Sequence, residues 1–147
     1  MAEQVDISKL ELASTKTRFK AFFIDDMFIT ILVFAILWND IAATGSDFAI
    51  AILMLIAQYS VHIMVLKFIY QTFFVWYYGQ TLGKMVAKVR VIDYDNFGRV
   101  SLVQSAIRSA TRLVSESFMY AGFLLAYFQE SKQTLHDKFG KTLVVNV

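Results

Sequence analysis

The amino-acid sequence predicts an all-α membrane protein with two full transmembrane helices, a third kinked helix or short helical hairpin, and a small cytoplasmic β element. Of its 147 residues, 57% are hydrophobic, 16% are aromatic and only 18% are charged. A soluble domain of this length cannot bury that much apolar surface. Two long apolar runs supply the helices, and two short stretches rich in β-branched residues supply the strands. We therefore expect one integral membrane domain over residues 1–147.

The composition also excludes several classes of function. The chain has no cysteine, so disulfides, thiolate chemistry and iron–sulfur clusters are excluded. Its formal net charge of +2 is far below the basic excess of a nucleic-acid-binding protein. No motif for a catalytic nucleophile, a metal or a cofactor is present. We expect a protein that is not an enzyme and has no catalytic residue, no metal, no cofactor and no nucleic-acid partner.

The first predicted span covers residues 19–38, FKAFFIDDMFITILVFAILW. At about 1.5 Å per residue, this run matches a hydrocarbon core of roughly 30 Å. A second apolar run covers residues 48–78, and we assign its first part, 48–70, to the second span. The run ends in FFVWYY, which is typical of an aromatic belt at the membrane interface.

Charge asymmetry predicts the orientation of these spans. The loop between them, NDIAATGSD, has two aspartates and no lysine or arginine. The N-terminal segment, residues 1–18, and the segment 79–101 both carry lysine and arginine. Because basic loops stay in the cytoplasm, these two segments are expected there and the acidic loop outside.

The third segment, residues 102–129, leaves two alternatives open. One tilted helix would cross the membrane and place the tail, residues 130–147, outside. A helical hairpin broken near residues 115–117 would return the lysine-containing tail to the cytoplasm, which the charge asymmetry favours. Residues 102–115 alone have the spacing of an amphipathic helix.

Two stretches, MVAKVRVID at 85–93 and TLVVNV at 142–147, are predicted strands. The turn sequence DNFG at 95–98 predicts that the first strand folds back on residues 99–102, which makes 79–101 a cytoplasmic loop or β-hairpin. A small sheet that joins the middle of the chain to its C-terminus is also expected.

Charged residues inside the predicted spans need partners. An aspartate at the bilayer centre costs about 2.5–3.5 kcal/mol, so Asp25 and Asp26 require water or a counter-charge. If the two spans run antiparallel, equal numbers of residues from the outer loop lie at equal depth in the membrane. This places His62 at the depth of these aspartates and Lys67 at the depth of Arg18. In one interpretation, Asp25 or Asp26 forms an ion or proton site with His62. In the other, the charges only lock the helices together.

Four segments together resemble the RDD family of bacterial integral membrane proteins, named for one arginine and two aspartates. The resemblance implies that Arg18, Asp25 and Asp137 are those residues, and that Arg18 bridges both aspartates. Arg108 belongs to the same structural charge network, and Lys67 is assigned to it from its position, as a structural charge whose side chain extends towards the membrane surface. The segments are RFKAFFIDD at 18–26, GQTLGKMVAKVRVID at 79–93, Arg108, and LHDKFGKTLVV at 135–145.

The motif GQTLGK contributes Gly79, Thr81, Gly83 and Lys84 to this resemblance. It is similar to a phosphate-binding loop, but it has three residues between its glycines, and Met85 stands where serine or threonine would hold magnesium. We therefore expect it not to bind a nucleotide.

The resemblance implies a protein of the bacterial cytoplasmic (inner) membrane that transports ions or small ligands, with cation/proton exchange through an intramembrane aspartate. The alternative is a non-catalytic accessory or scaffold subunit of a larger membrane complex. Expected partners are the lipid bilayer and either further copies of the chain, in a homo-oligomer, or other membrane-protein subunits.

Overall fold

The structure, a computed structural model, describes residues 11–45, 47–117 and 133–146. These residues are mostly helical, with one two-stranded sheet, as the sequence predicted. In chain order the elements are α1 (Thr15–Ile36), α2 (Trp38–Ala43), α3 (Phe48–Gln58), α4 (Ser60–Tyr78), α5 (Leu82–Val86), β1 (Val89–Asp93), α6 (Leu102–Ser117), α7 (Leu135–Phe139) and β2 (Thr142–Asn146).

Helix α1 begins four residues before the predicted first span because Ser14 caps it. The Ser14 side chain accepts a hydrogen bond from the backbone N–H of Thr17 at 3.2 Å. The helix is interrupted at Leu37, and the short α2 follows. Lys20, Asp25 and Asp26 lie close together within its length, so α1 is less apolar than a typical spanning helix.

The predicted second span is not one straight helix. Helices α3 and α4 meet at Tyr59 with a bend of 67°. Among the described residues, no single helix is long and apolar enough to cross a membrane, and only this bent pair meets the requirement jointly. The two predicted full spans, 19–38 and 48–70, are therefore not found as two straight apolar helices.

The sheet joins three distant parts of the chain. Strand β1 pairs antiparallel with β2, with Val91 opposite Val144. On the other edge of β2, the N–H of Ala13 donates to the carbonyl of Val144 at 3.0 Å, and Leu12 forms a bridge with Val145. The predicted sheet between the middle and the C-terminus is confirmed.

The predicted hairpin between β1 and residues 99–102 is wrong. A turn does form, closed by a bond from the N–H of Asp93 to the carbonyl of Gly98 at 3.0 Å. Ser101 then starts α6 through a capping box, in which the Ser101 N–H donates to Gln104 Oε1 and the Gln104 N–H donates to Ser101 Oγ. Residues 99–102 therefore lead into α6 and form no strand, and the strand that pairs with β1 is β2.

Polar side chains point inward and apolar side chains outward on helix α6. Its buried residues are Ser105, Arg108, Ser109, Arg112 and Ser115. The opposite face exposes Val103, Ile107 and Val114, with Val103 67% exposed. Water-soluble proteins show the reverse arrangement. The predicted amphipathic helix is confirmed, and its polar face packs against α4 and α7.

The choice between one crossing and a hairpin for residues 102–129 depends on residues 118–129, which lie outside the described residues. The C-terminal elements pack against earlier parts of the chain: β2 lies beside β1, and α7 packs against α6 near Arg108 and Gln104. Strand β2 and helix α7 therefore lie next to β1 and α6.

Candidate functional site

Asp25 lies at the junction of α1, α4 and the turn that carries GQTLGK. Its carboxylate is fully buried and accepts hydrogen bonds from Tyr70 Oη at 2.8 Å, Thr81 Oγ1 at 2.5 Å and the N–H of Gly83 at 2.8 Å. Tyr70 Oη also accepts from the N–H of Leu82 at 3.1 Å. Asp25 thus holds the GQTLGK turn against α1 with neutral donors.

The other residues of the GQTLGK motif shape the turn itself. Gly79 ends α4 with a φ of 73°, a conformation that glycine adopts most easily. Thr81 caps α5 by accepting from the N–H of Lys84 at 3.4 Å. Gly83 allows α5 to approach the backbone of α1. The Lys84 side chain is buried beneath the turn.

Asp137 forms a second buried centre with two arginines. Arg108 donates to its Oδ1 from Nε at 3.0 Å and from Nη2 at 2.8 Å, and Arg18 forms an ion pair with its Oδ2. The N–H of Thr134 donates to the same carboxylate at 3.2 Å and so starts α7. Burial alone would raise the pKa of Asp137, but Arg18 and Arg108 outweigh it and hold the pKa well below its usual range.

The expected bridge from Arg18 to both aspartates needs one correction. Arg18 does bind Asp137, which the resemblance implied. The hydrogen bonds that Asp25 accepts within the described residues come from Tyr70, Thr81 and Gly83 instead. The second cation at Asp137 is Arg108, because α7 packs directly on α6.

A third group links α1, α4 and α6. Lys67 Nζ donates to Asp26 Oδ1 at 2.8 Å and to Glu116 Oε2 at 3.2 Å. Glu116 accepts from Arg112 Nε through its other oxygen at 3.2 Å. We call Asp26, Lys67, Glu116 and Arg112 the ion-pair chain. Opposite charges alternate along it, so each of the four contacts a counter-charge.

A small cavity adjoins the ion-pair chain. Its volume is about 10 Å³, which suits one water-sized particle. Gln71 lines it, is 5% exposed, and its Oε1 has no hydrogen-bond partner among the described residues. A buried amide oxygen without a partner is costly, so a water molecule or a cation in the cavity would stabilise this oxygen. The other polar lining residues are Asp25, Asp26, Lys67, Ser109, Arg112 and Glu116.

His62 does not lie beside the aspartates, so its predicted position is wrong. It lines an apolar cavity with Val33, Leu37 and Leu66, and its ring meets that of Tyr59 edge-on at 5.6 Å. Lys67, predicted level with Arg18, instead contacts Asp26. Counting residues from the outer loop assumed two straight antiparallel helices. This assumption is wrong because α1 is followed by the short α2 and because α3 and α4 are bent by 67°.

Sequence reasoning missed four residues of these clusters: Tyr70, Gln71, Arg112 and Glu116. The last two had a detectable signal. Arg108 and Arg112 are four residues apart, as are Arg112 and Glu116, so all three share one face of a helix that was already recognised as amphipathic. Gln71 and Tyr70 carried no signal, because they lie within an aromatic run assigned to the membrane interface.

We expect Tyr70→Phe to lower the free energy of unfolding by about 1–3 kcal/mol, because it removes a buried hydroxyl that binds both Asp25 and the backbone of Leu82. Chemical unfolding of the purified chain in detergent measures the change. Tyr77→Phe is the matched control, since Tyr77 is 53% exposed. Equal unfolding free energies for the two variants would contradict the bridging role of Tyr70.

A family model described as RDD family matches residues 12–141, which is most of the chain. Neither a curated protein nor a solved structure gives a significant match to the chain.

Proposed function

Because this chain belongs to the RDD family, we propose that it is a membrane protein that exchanges a small monovalent cation for a proton at the ion-pair chain. One observation carries this proposal: the Lys67 ammonium occupies a position between two carboxylates, beside an amide oxygen that has no partner among the described residues.

The distribution of polar and apolar side chains supports placement in a bilayer. Helices α1 and α6 bury arginine and expose large apolar residues, among them Phe23 at 60% and Val103 at 67%. Ionisable groups in membrane proteins face the interior of the helix bundle in this way and mark ion or proton pathways. The bent pair α3 and α4 is long and apolar enough for one crossing.

The ion-pair chain has the chemistry that exchange requires. Asp26 and Glu116 supply anionic oxygens, and Gln71 Oε1 supplies a neutral one, which together suit a hard cation. Lys67 holds that position with its own positive charge. A cation that enters the site displaces the ammonium group from between the carboxylates, and Lys67, no longer held by them, releases its proton. One cation enters for one proton, so the charge of the site does not change.

A wider cavity offers access to the same residues. Its volume is about 300 Å³, and it is lined by Lys67 and Glu116 together with Ser60 and Met64 of α4. It adjoins the bend between α3 and α4, so that bend lies beside the route to the ion-pair chain. In this proposal Asp25 has a positioning role, since neutral donors already satisfy it.

The test is flux in proteoliposomes with an internal pH dye and an imposed pH gradient. Addition of sodium or potassium gluconate is expected to dissipate the gradient, and choline gluconate is not. Gln71→Met is the decisive variant, because it removes the unpartnered oxygen without removing any hydrogen bond that this oxygen makes to the described residues. We expect flux to fall about tenfold or more while stability is unchanged or increased.

Asp26→Asn is expected to abolish the flux, and Asp40→Asn, an exposed acid of α2, to leave it unchanged. Native flux in Gln71→Met and Asp26→Asn would contradict the proposed site. Absence of flux in the native chain would contradict exchange as such.

A second candidate function is an accessory or scaffold subunit. An aromatic surface on α4 favours it: Phe73, Trp76, Tyr77 and Tyr78 are all at least 39% exposed, and the rings of Phe73 and Tyr77 stack at 5.7 Å. Such a surface suits either the membrane interface or another helix. A native chain that shows no flux but forms a stable oligomer with itself or another membrane subunit would favour this candidate.

A further inference from the structure

A second buried cavity, which shares only Arg112 with the cavity beside the ion-pair chain, is lined by basic side chains. Its volume is about 20 Å³, enough for one water-sized particle. Its charged or polar lining residues are all basic amino acids: Arg18, Lys84, Arg108, Arg112 and His136. Phe22, Val89 and Val144 complete the wall. No carboxylate lines it among the described residues.

The three arginines have carboxylate partners, whereas Lys84 has none within the described part of the chain. Arg18 and Arg108 bind Asp137, and Arg112 binds Glu116. Lys84 Nζ makes its hydrogen bond to a neutral group, Thr81 Oγ1, at 3.4 Å. The Lys84 side chain is only 7% exposed, so bulk solvent contributes little to the stabilisation of its charge.

A buried ammonium group without a counter-ion is unfavourable, so the neutral amine is favoured unless an anion binds beside Lys84. Burial lowers the pKa of Lys84 well below its usual range, and Arg108 and Arg112 act in the same direction. Asp25 and Asp137 oppose them only in part. These surroundings favour the neutral amine, and an anion in the cavity would favour the ammonium form.

We propose that this cavity binds one small inorganic anion, of about the size of chloride, against the ammonium group of Lys84. The anion and a proton are taken up together, so the charge of the buried region does not change. The arginines that line the cavity would supply further N–H donors to the anion. This inference does not depend on the proposed cation exchange, because it concerns a different cavity.

Several ionisable groups face Lys84 and contribute to the pH dependence. Burial also lowers the pKa of His136 well below its usual range, so His136 is the other group whose protonation must be separated from that of Lys84. The other charged groups around Lys84 already have partners of their own in ion pairs or hydrogen bonds: Arg18 and Asp25 on α1, Arg108 and Arg112 on α6, and Asp137 on α7.

The test is isothermal titration of sodium chloride into the full chain in detergent and gluconate buffer, over a series of pH values. We expect saturable binding whose affinity falls as pH rises, by up to about tenfold per pH unit. Titrations in two buffers of different ionisation enthalpy should show uptake of about one proton per chloride. Inorganic phosphate, which is larger than the cavity, is not expected to bind there.

Lys84→Met is the key variant, and Lys88→Met is its matched control, because Lys88 is exposed in the same segment. We expect Lys84→Met to weaken chloride binding about tenfold or more and to abolish the proton uptake. Lys88→Met should behave as the native chain. Lys84→Gln provides a second neutral variant if the methionine variant does not fold.

Chloride binding of native affinity in a folded Lys84 variant would overturn the inference. So would proton uptake that persists in such a variant, since His136 would then be its source. A native chain that binds no chloride at any pH, or that binds it without proton uptake, would overturn it as well. The native titrations decide the question even if neither Lys84 variant folds.

Discussion

Asp137→Asn is expected to lower the free energy of unfolding by about 3–5 kcal/mol, because removal of one partner from a buried ion pair leaves an uncompensated charge. Here two buried guanidinium groups, those of Arg18 and Arg108, would lose their shared counter-charge. The link between α1, α6 and α7 would be lost with it. Chemical unfolding of the purified chain in detergent is the measurement.

The control is Asp95→Asn, an exposed acid in the turn after β1, for which we expect a change within about 0.5 kcal/mol. The effect of pH provides a second check. The folded chain holds the pKa of Asp137 well below its usual value, so its stabilisation is fully present above the unfolded pKa of about 3.9. It is lost as pH falls from there through the folded pKa.

The difference between native chain and Asp137→Asn should therefore be constant near neutral pH and become smaller in acid. A variant as stable as the native chain at neutral pH would show that the two arginines find other counter-charges. A difference that grows in acid would contradict the ionised state of Asp137 in the folded chain.

Local patterns in the sequence were sufficient for the elements whose partners lie close by or whose periodicity is simple. The β-branched residues of β1 and β2 predicted a sheet between the middle and the end of the chain. The spacing along α6 predicted an amphipathic helix, although not that its polar face would be the buried one. The spacing of polar and apolar residues is the same whether the polar or the apolar face of the helix is buried. Only the surroundings of the helix decide which face is buried.

The sequence alone does not show which residues on elements far apart in the chain face each other. The pair of Lys67 with Asp26 depends on where α3 bends, and no proline or glycine lies near Tyr59 to indicate that bend. The pair of Arg18 with Asp137 joins residues 119 positions apart. It was anticipated because the chain resembles a family in which those residues recur, and not from any pattern of spacing or charge.

Adjacent residues with the same chemistry were also indistinguishable beforehand. Asp25 and Asp26 point in different directions on α1, and their surroundings differ accordingly. Asp25 is fully buried among neutral donors, whereas Asp26 is 37% exposed and contacts a lysine. The first is suited to holding a turn in place and the second to exchanging its counter-ion. This difference is why the proposed exchange uses Asp26.

Gly83→Ala is expected to lower the free energy of unfolding by about 3 kcal/mol or more. A Cβ atom at this position would lie 2.1 Å from the carbonyl oxygen of Ala21 and 2.9 Å from the backbone nitrogen of Asp25. Both atoms belong to the backbone of α1, so no side-chain rotation can relieve the overlap. Helix α5 would have to move away from α1.

That movement would also break bonds to Asp25, since Gly83 N–H and Thr81 Oγ1 both reach it across the contact between α1 and α5. The matched control is Gly98→Ala, whose added Cβ would meet the end of the Asn96 side chain, which can turn away. Thermal unfolding of both variants in detergent is the measurement, and only Gly83→Ala should show a large decrease in Tm. Similar Tm values for both would mean that α1 and α5 need not approach closely, and that Asp25 could not be held by the GQTLGK turn as described.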